Sequence, residues 1–257
     1  MYYLNFLTQV HERLQPRNYL EVGIRNGGSL ALSRCRSVAI DPAYSITAEL
    51  NAPVSLFRTS SDEYFSREDP LLPTGGQPFD LAFIDGLHLF EFALRDLINA
   101  ERHASSRSMI IFDDVLPRTI DEAARVRHTT AWTGDVYSIL GVIAKYRPEL
   151  SVITIGTLPT GLLMITGLDP SSTVLSDHYT EILEEFRHPD PQPVPQYLLD
   201  RLTIASPEKV LESGLLELLA DADPSITPAE LRPRLTEVIT STLGRAYAPG
   251  QPAVITS

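Results

Sequence analysis

Asn18-Tyr-Leu-Glu-Val-Gly-Ile-Arg-Asn-Gly-Gly-Ser29 decides the fold: a brief β-prone run stops at Gly23, and a glycine-containing loop leads into an expected helix. Outward from it the same rhythm recurs. Ser37-Val-Ala-Ile-Asp41 is a second short apolar strand ending on an acid, and Val54-Ser-Leu-Phe57 is a third. The polar Thr59-Ser-Ser-Asp62 turn after it suits a helix cap. Phe79-Asp-Leu-Ala-Phe-Ile-Asp85 is a fourth strand, residues 88–103 repeat apolar side chains at helical spacing, and Met109-Ile-Ile-Phe112 is a fifth, wholly apolar strand. Residues 4–14 and 135–147 read as helices, and Val152–Ile155 with Leu162–Ile165 as a hairpin joined through Pro159 and Gly161. Apolar strands separated by helices need cover on both sheet faces. The expected class is therefore α/β: a doubly wound, Rossmann-like, mostly parallel sheet with an antiparallel closing hairpin. Residues 1–168 form this unit, and 169–257 a helical, proline-linked C-terminal extension. Its amphipathic spacing suits covering the core or pairing in a homodimer.

The chain's 257 residues are enough to bury a full core. A single cysteine, Cys35, rules out an intrachain disulfide and fits a reducing cytoplasm. The net charge is -12 with basic residues scattered, so a phosphate backbone would be repelled and nucleic acid is not an expected partner. No apolar run reaches the roughly 18 residues of a membrane span, and the first residues lack a signal-peptide pattern. A cytoplasmic protein with no membrane partner is expected.

Ligands of open α/β sheets bind at the carboxyl ends of strands, where a glycine turn lets them touch the backbone. Glu21, Gly23, Asn26, Gly27, Gly28 and Ser29 stand at the first such end, and Asp41 at the second, within reach of ribose hydroxyls. NAD-binding domains share this plan, and a glycine turn can also be purely architectural. The spacing here, Gly23-x-x-x-Gly27-Gly28, differs from G-x-G-x-x-G, and Glu21 would repel a pyrophosphate. The sulfonium and amino group of S-adenosylmethionine would instead be favoured by nearby carboxylates. Ser61 and Asp62 are candidates for adenine contacts, or simply for helix capping.

A second constellation joins Phe83-Ile-Asp-Gly-Leu-His88 to Ile111-Phe-Asp-Asp-Val115. Asp85 ends the fourth strand, and Asp113 and Asp114 end the fifth, so all three reach one sheet edge. Strand-terminal aspartates are commonly turn residues. Three crowded carboxylates repel unless a cation joins them, and hard oxygen ligands select Mg²⁺, Mn²⁺ or Ca²⁺ over zinc. Trp132-Thr-Gly-Asp-Val136 lies where a lid would sit, making Trp132 and Asp135 candidate substrate contacts, with a core or hinge anchor as the other reading of the tryptophan.

Residues 17–166 resemble class I S-adenosylmethionine-dependent methyltransferases, and more narrowly the metal-dependent sugar O-methyltransferases of the macrocin and mycinamicin type. The likeness lies in YLEVGIRNGGS, AIDP, FIDGLH with a following helix that contains Asp96, and IIFDD. It implies S-adenosyl-L-methionine as methyl donor, with contacts extending to Asp85, and Mg²⁺ or another hard divalent cation held by Asp85, Asp113 and Asp114. His88 would take the substrate proton, and the acceptor would be a small-molecule or saccharide hydroxyl. Leu87 stands where the family more often has a polar residue. Catechol methyltransferases share a similar metal arrangement, so a phenol is an alternative acceptor. An NAD(P)-dependent oxidoreductase and a non-catalytic binding protein remain rival readings.

Overall fold

In the computed structural model, which describes residues 1–250, the chain begins with helix α1 (Tyr3–Leu14) and enters the sheet through β1 (Asn18–Val22). There follow β2 (Arg36–Ile40), β3 (Val54–Phe57), α2 (Ser61–Phe65), β4 (Leu81–Ile84), α3 (Phe90–Arg102), β5 (Met109–Phe112) and α4 (Ser138–Tyr146). The hairpin β6 (Ser151–Ile155) and β7 (Leu162–Thr166) completes the sheet. Six helices close the described chain: α5 (Val174–Asp177), α6 (Tyr179–Phe186), α7 (Gln196–Leu199), α8 (Pro207–Leu211), α9 (Leu215–Asp221) and α10 (Pro228–Thr242). Among the described residues no helix is long and apolar enough to cross a membrane.

The seven strands lie in the order β3-β2-β1-β4-β5-β7-β6. Strands β1 to β5 run parallel, while β7 is antiparallel to both β5 and β6. This is the expected Rossmann-like sheet with its closing hairpin. The order reverses between β1 and β4, which opens the ligand crevice typical of such sheets at their carboxyl ends.

Every β1, β4 and β5 residue is buried, because helices cover both faces. Alternation along the strands sorts their side chains. Leu20, Val22, Ala82, Ile84, Ile110 and Phe112 join the core beneath α3, α4 and α6. Tyr19, Leu81, Phe83, Met109 and Ile111 join the opposite core, which α1, α8, α9 and α10 cover. The C-terminal helices thus use their apolar sides within the chain: Leu175, Ile182 and Leu198 pack on the first face, and Leu215, Leu219, Leu231 and Leu235 on the second. The apolar spacing across 210–219 is two helices, since Gly214 adopts a φ of 79° between them.

One expected element is replaced. Instead of a helix after the glycine loop there is a single 3-10 turn, Leu30–Leu32. Ser33 and Ser37 hydrogen-bond to each other at 2.8 Å, and their side chains also contact the Cys35 carbonyl. These side-chain bonds offer the backbone an alternative to helix.

At the sheet edge remote from the crevice, charge replaces apolar packing. The Arg147 guanidinium, 1% exposed, donates to Glu101 at 2.5 and 2.9 Å, and Glu101 also accepts from Asp169 N at 3.0 Å. This fork ties the end of α4 to α3 and to the start of the C-terminal segment. Arg147→Ala leaves a buried carboxylate without its partner, and urea denaturation should register a loss of about 3–5 kcal/mol. Arg147→Met combined with Glu101→Leu should recover most of that loss; a double variant as unstable as the single one would contradict this account.

Candidate active site

At the end of β1 the backbone turns through Gly23 with a φ of 87°. A side chain there would meet the Asp85 carbonyl oxygen at 1.9 Å, so only glycine allows the ends of β1 and β4 to touch. The loop beyond is braced from below. Glu21 is fully buried and accepts from Tyr19 Oη and Ser29 Oγ, each at 2.7 Å. Burial pushes its carboxyl up to about 8, against the pull of those two hydrogen bonds. Asp41 pins the loop from the side, its Oδ2 accepting from Ile24 N at 2.8 Å and Arg25 N at 2.9 Å. The exposed Asn26 accepts from Gly28 N at 3.2 Å, and its carbonyl accepts from Thr47 N and Ala48 N, while Ile46 and Ala48 lie beside Gly27. Glu21, Ser29 and Asp41 therefore shape the loop, while Gly27, Gly28 and Asn26 form its outer turn. Helix α2 is capped by Ser60 rather than by Ser61 or Asp62. Asp62 instead accepts from Arg95 at 2.8 Å.

The register of β4 and β5 pairs Ile84 with Phe112, so the next residues, Asp85 and Asp113, leave the sheet as neighbours on the α1 side. Asp114 then adopts a φ of 58°, the left-handed conformation that Asp and Asn tolerate best after glycine. This reversal swings its carboxylate towards His88, whose Nε2 lies 3.1 Å from Asp114 Oδ2 and 3.3 Å from Asp85 Oδ1. Asp85, His88 and Asp114 can each offer a ligand atom, all within 4.8 Å of one another. Asp113 stands just outside that trio, its Oδ1 accepting from Asp114 N at 2.9 Å.

Electrostatics at this edge favour a cation. Burial first, then the Asp85 and Asp114 charges, lift the Asp113 carboxyl well above the ordinary range. Burial likewise raises Asp114, although His88 opposes it. For His88 burial lowers the pKa, but the Asp85 hydrogen bond and the Asp114 charge outweigh it and leave the imidazole above its ordinary value. The carboxylate oxygens are the hard donors that Mg²⁺, Mn²⁺ or Ca²⁺ accepts, with the imidazole beside them.

His88 is held from its other side by the segment before α4. Its Nδ1 lies 3.0 Å from the Trp132 carbonyl, and its ring stacks on the Trp132 indole at 4.9 Å between centroids. Donation from Nδ1 to that carbonyl leaves Nε2 as the nitrogen facing the acids. A side chain at Gly134, where φ is 57°, would collide with the His88 carbonyl. Asp135 is completely buried: Oδ1 accepts from Phe90 N at 2.7 Å at the start of α3, and Oδ2 is paired with Arg125. Both its oxygens are engaged inside the protein, which gives Asp135 a capping role in place of the expected substrate contact. Trp132 and Gly134 orient His88.

Three further neighbours line this edge, of which Asp96 was quoted in the family likeness without a role, while Thr160 and Tyr3 carried no sequence signal. Thr160, from the β6–β7 connection, lies beside Asp114. Asp96, whose Oδ1 is buried without a partner, faces Gly86 from α3, and burial pushes its carboxyl up to about 7. Tyr3 packs over Phe83; burial, and then the Asp113 and Asp85 charges, raise its hydroxyl well above the ordinary value. Only contacts between elements far apart in the chain reveal Thr160 and Tyr3.

Comparison with known proteins bears on the same edge. Residues 19–115 match the model of a methyltransferase domain. Among solved structures, the cofactor-bound protein Rv0187 from MTB is 20% identical with a TM-score of 0.48, over 64% of this chain and 78% of that one. The O-methyltransferase TomG from Streptomyces achromogenes, solved with SAM, is 18% identical with a TM-score of 0.48, over 64% and 78%. The O-methyltransferase from Bacillus cereus, solved with SAH, is 18% identical with a TM-score of 0.44, over 63% and 79%. No curated protein matches the chain. The segment that carries both the glycine loop and the acid edge is therefore similar to a methyltransferase domain, whereas Trp132, Gly134 and Thr160 lie beyond the matched residues.

Proposed function

We propose that the protein is an S-adenosylmethionine-dependent O-methyltransferase that uses Mg²⁺ or another hard divalent cation to methylate a hydroxyl of a small-molecule or saccharide acceptor. The observation that carries the reading is the convergence of Asp85, Asp114 and His88 on one point beside Gly23, at the crevice where the strand order reverses. The resemblance of FIDGLH and IIFDD to sugar-methylating enzymes favours a sugar hydroxyl.

The chain's own residues account for each requirement of that chemistry. A cationic donor over the glycine loop would favour the ionised form of Glu21, which burial otherwise opposes. Asp85, Asp113 and Asp114 would hold the cation, which supplies Lewis-acid stabilisation to a hydroxyl oxygen losing its proton. His88 accepts that proton at Nε2, because its Nδ1 side is committed to the Trp132 carbonyl. The Trp132 ring and the close approach of Gly134 restrict rotation of the imidazole. The remaining task is positional: acceptor oxygen and donor methyl must be held within about 3–3.5 Å.

Calorimetry should detect S-adenosylmethionine and S-adenosylhomocysteine binding in the micromolar range typical of enzyme substrates. Binding of NAD or NADP in place of both would convert the reading to an oxidoreductase.

With labelled donor and a panel of glycoside and phenol acceptors, chelation should abolish turnover. Asp85→Asn, Asp113→Asn and Asp114→Asn should each weaken metal-dependent turnover while sparing S-adenosylhomocysteine affinity. His88→Ala should lose roughly 10²–10⁴-fold in rate. Undiminished activity in excess EDTA, or normal turnover by His88→Ala, would refute the assigned roles.

The raised carboxyls also set a pH dependence. A carboxyl whose folded pKa exceeds its unfolded value, about 3.9 for Asp, stabilises the fold fully below the unfolded value. That contribution disappears as pH rises to the folded pKa, here raised for Asp113 and Asp114. A divalent cation competes with those protons. Scanning calorimetry should therefore show a larger Mg²⁺-induced rise in Tm at pH 8 than at pH 5, and an equal rise at both would count against carboxylate ligation.

A further inference from the structure

A pocket of about 530 Å³ opens between α4, the end of α6 and α7, and none of Asp85, His88, Asp113 or Asp114 lines it. Its volume lies in the range that holds a small organic molecule. The walls are aromatic: Tyr137 immediately precedes α4, Phe186 ends α6 and Tyr197 belongs to α7, and all three pack on the first core face. A side chain at Gly141 would meet the Phe186 ring at 2.6 Å, so the missing Cβ seats that ring directly against α4.

The rim is braced by the protein's own hydrogen bonds. The Tyr137 hydroxyl donates to Gln192 Oε1 at 3.3 Å, and Gln192 Nε2 donates to the His188 carbonyl at 2.9 Å and to Asp190 Oδ1 at 3.0 Å. Asp190 in turn accepts from Arg125 N at 3.0 Å. The proline-rich strap of residues 188–195 is thereby tied to the start of α4, and a wall fixed in advance spares a ligand the cost of ordering it.

The charge of the pocket is one-sided. Asp200 brings a carboxylate to the lining beside the His188 imidazole, and among the described residues no Lys or Arg lines it. The two arginines adjacent in sequence are engaged elsewhere, Arg187 with Glu91 at 3.3 Å and Arg201 with the Leu116 carbonyl at 3.2 Å. Gln196 Nε2 donates to Asp200 Oδ1 at 2.8 Å, which leaves Oδ2 without a protein donor among the described residues. An anion entering here would meet that carboxylate with no cation to offset it. A cation would gain from both the carboxylate and the aromatic walls.

We infer that this pocket is a second binding site, separate from the acid edge, and that its ligand is an organic ammonium. The apolar body lies between Tyr137, Phe186 and Tyr197, and the charged nitrogen lies at Asp200. The inference goes beyond the methyltransferase reading and stands without it.

Phenethylamine and phenethyl alcohol test it, because they share a shape and the amine, like a lysine side chain, is protonated at neutral pH. Calorimetry on the full chain should show saturable binding of the amine and roughly tenfold weaker binding of the alcohol, the scale of a lost cation contact. Asp200→Asn should weaken the amine roughly tenfold, leave the alcohol unchanged and, because Asp200 is exposed, leave Tm unchanged. Tyr197→Leu, which keeps an apolar side chain and removes the ring, should also weaken the amine. Asp113→Asn at the acid edge should leave amine affinity as it is. Equal affinity for amine and alcohol, no saturable amine binding, or amine binding lost in Asp113→Asn and kept in Asp200→Asn would each overturn the assignment.

Discussion

The contact on which the site depends is between two backbones: Gly23 at the end of β1 lies against the Asp85 carbonyl at the end of β4. Parallel neighbours in a sheet diverge where their connections leave in different directions, and here they leave on opposite sides of the reversal in strand order. A side chain at Gly23 would force the two ends apart. The glycine loop would then move relative to Asp85, and through Asp85 relative to His88 and Asp114. One position without a Cβ therefore fixes the spacing between the half of the crevice suited to a donor and the half that carries the acids.

A second clamp acts from outside the sheet. The segment before α4 contributes no acid or base to the cluster, yet it sets the His88 tautomer through the Trp132 carbonyl, its ring plane through the indole, and its backbone position through Gly134. Asp135 and Arg125 lock that segment to the first turn of α3, where Glu91 also pairs with Arg125 at 2.7 Å. The result is a base with little freedom, resting on a buried charge network.

Much of this was legible in the sequence for physical reasons. Short apolar strands announce a covered parallel sheet, and acids at their ends must share one edge once the strands are parallel, which is how Asp85, Asp113 and Asp114 could be grouped. The helix expected after Gly28 failed because serine hydroxyls captured the local backbone, a competition that apolar periodicity does not register. Asp135 looked like a lid residue from its place in the chain, but burial and a helix start 45 residues away gave it another role. Glu21 was legible as an acid beside the loop, though not as one enclosed by Tyr19 and Ser29. Tyr3 was invisible for a related reason: its neighbours come from distant parts of the chain, and no local pattern encodes its packing over Phe83.

The left-handed backbone at Asp114 narrows the chemical alphabet available there. Glycine would keep the turn but lose the ligand atom; glutamate would keep the charge, but its longer side chain lacks the short local hydrogen bonding that eases such a turn. Among residues that offer a ligand atom, aspartate and asparagine fit this turn best, and of these only aspartate brings charge. Because the same torsion aims the carboxylate at His88, drift at this position would alter backbone path and local field together. A substitution at Asp114 therefore perturbs the turn after β5 and the charge that faces His88 in a single step.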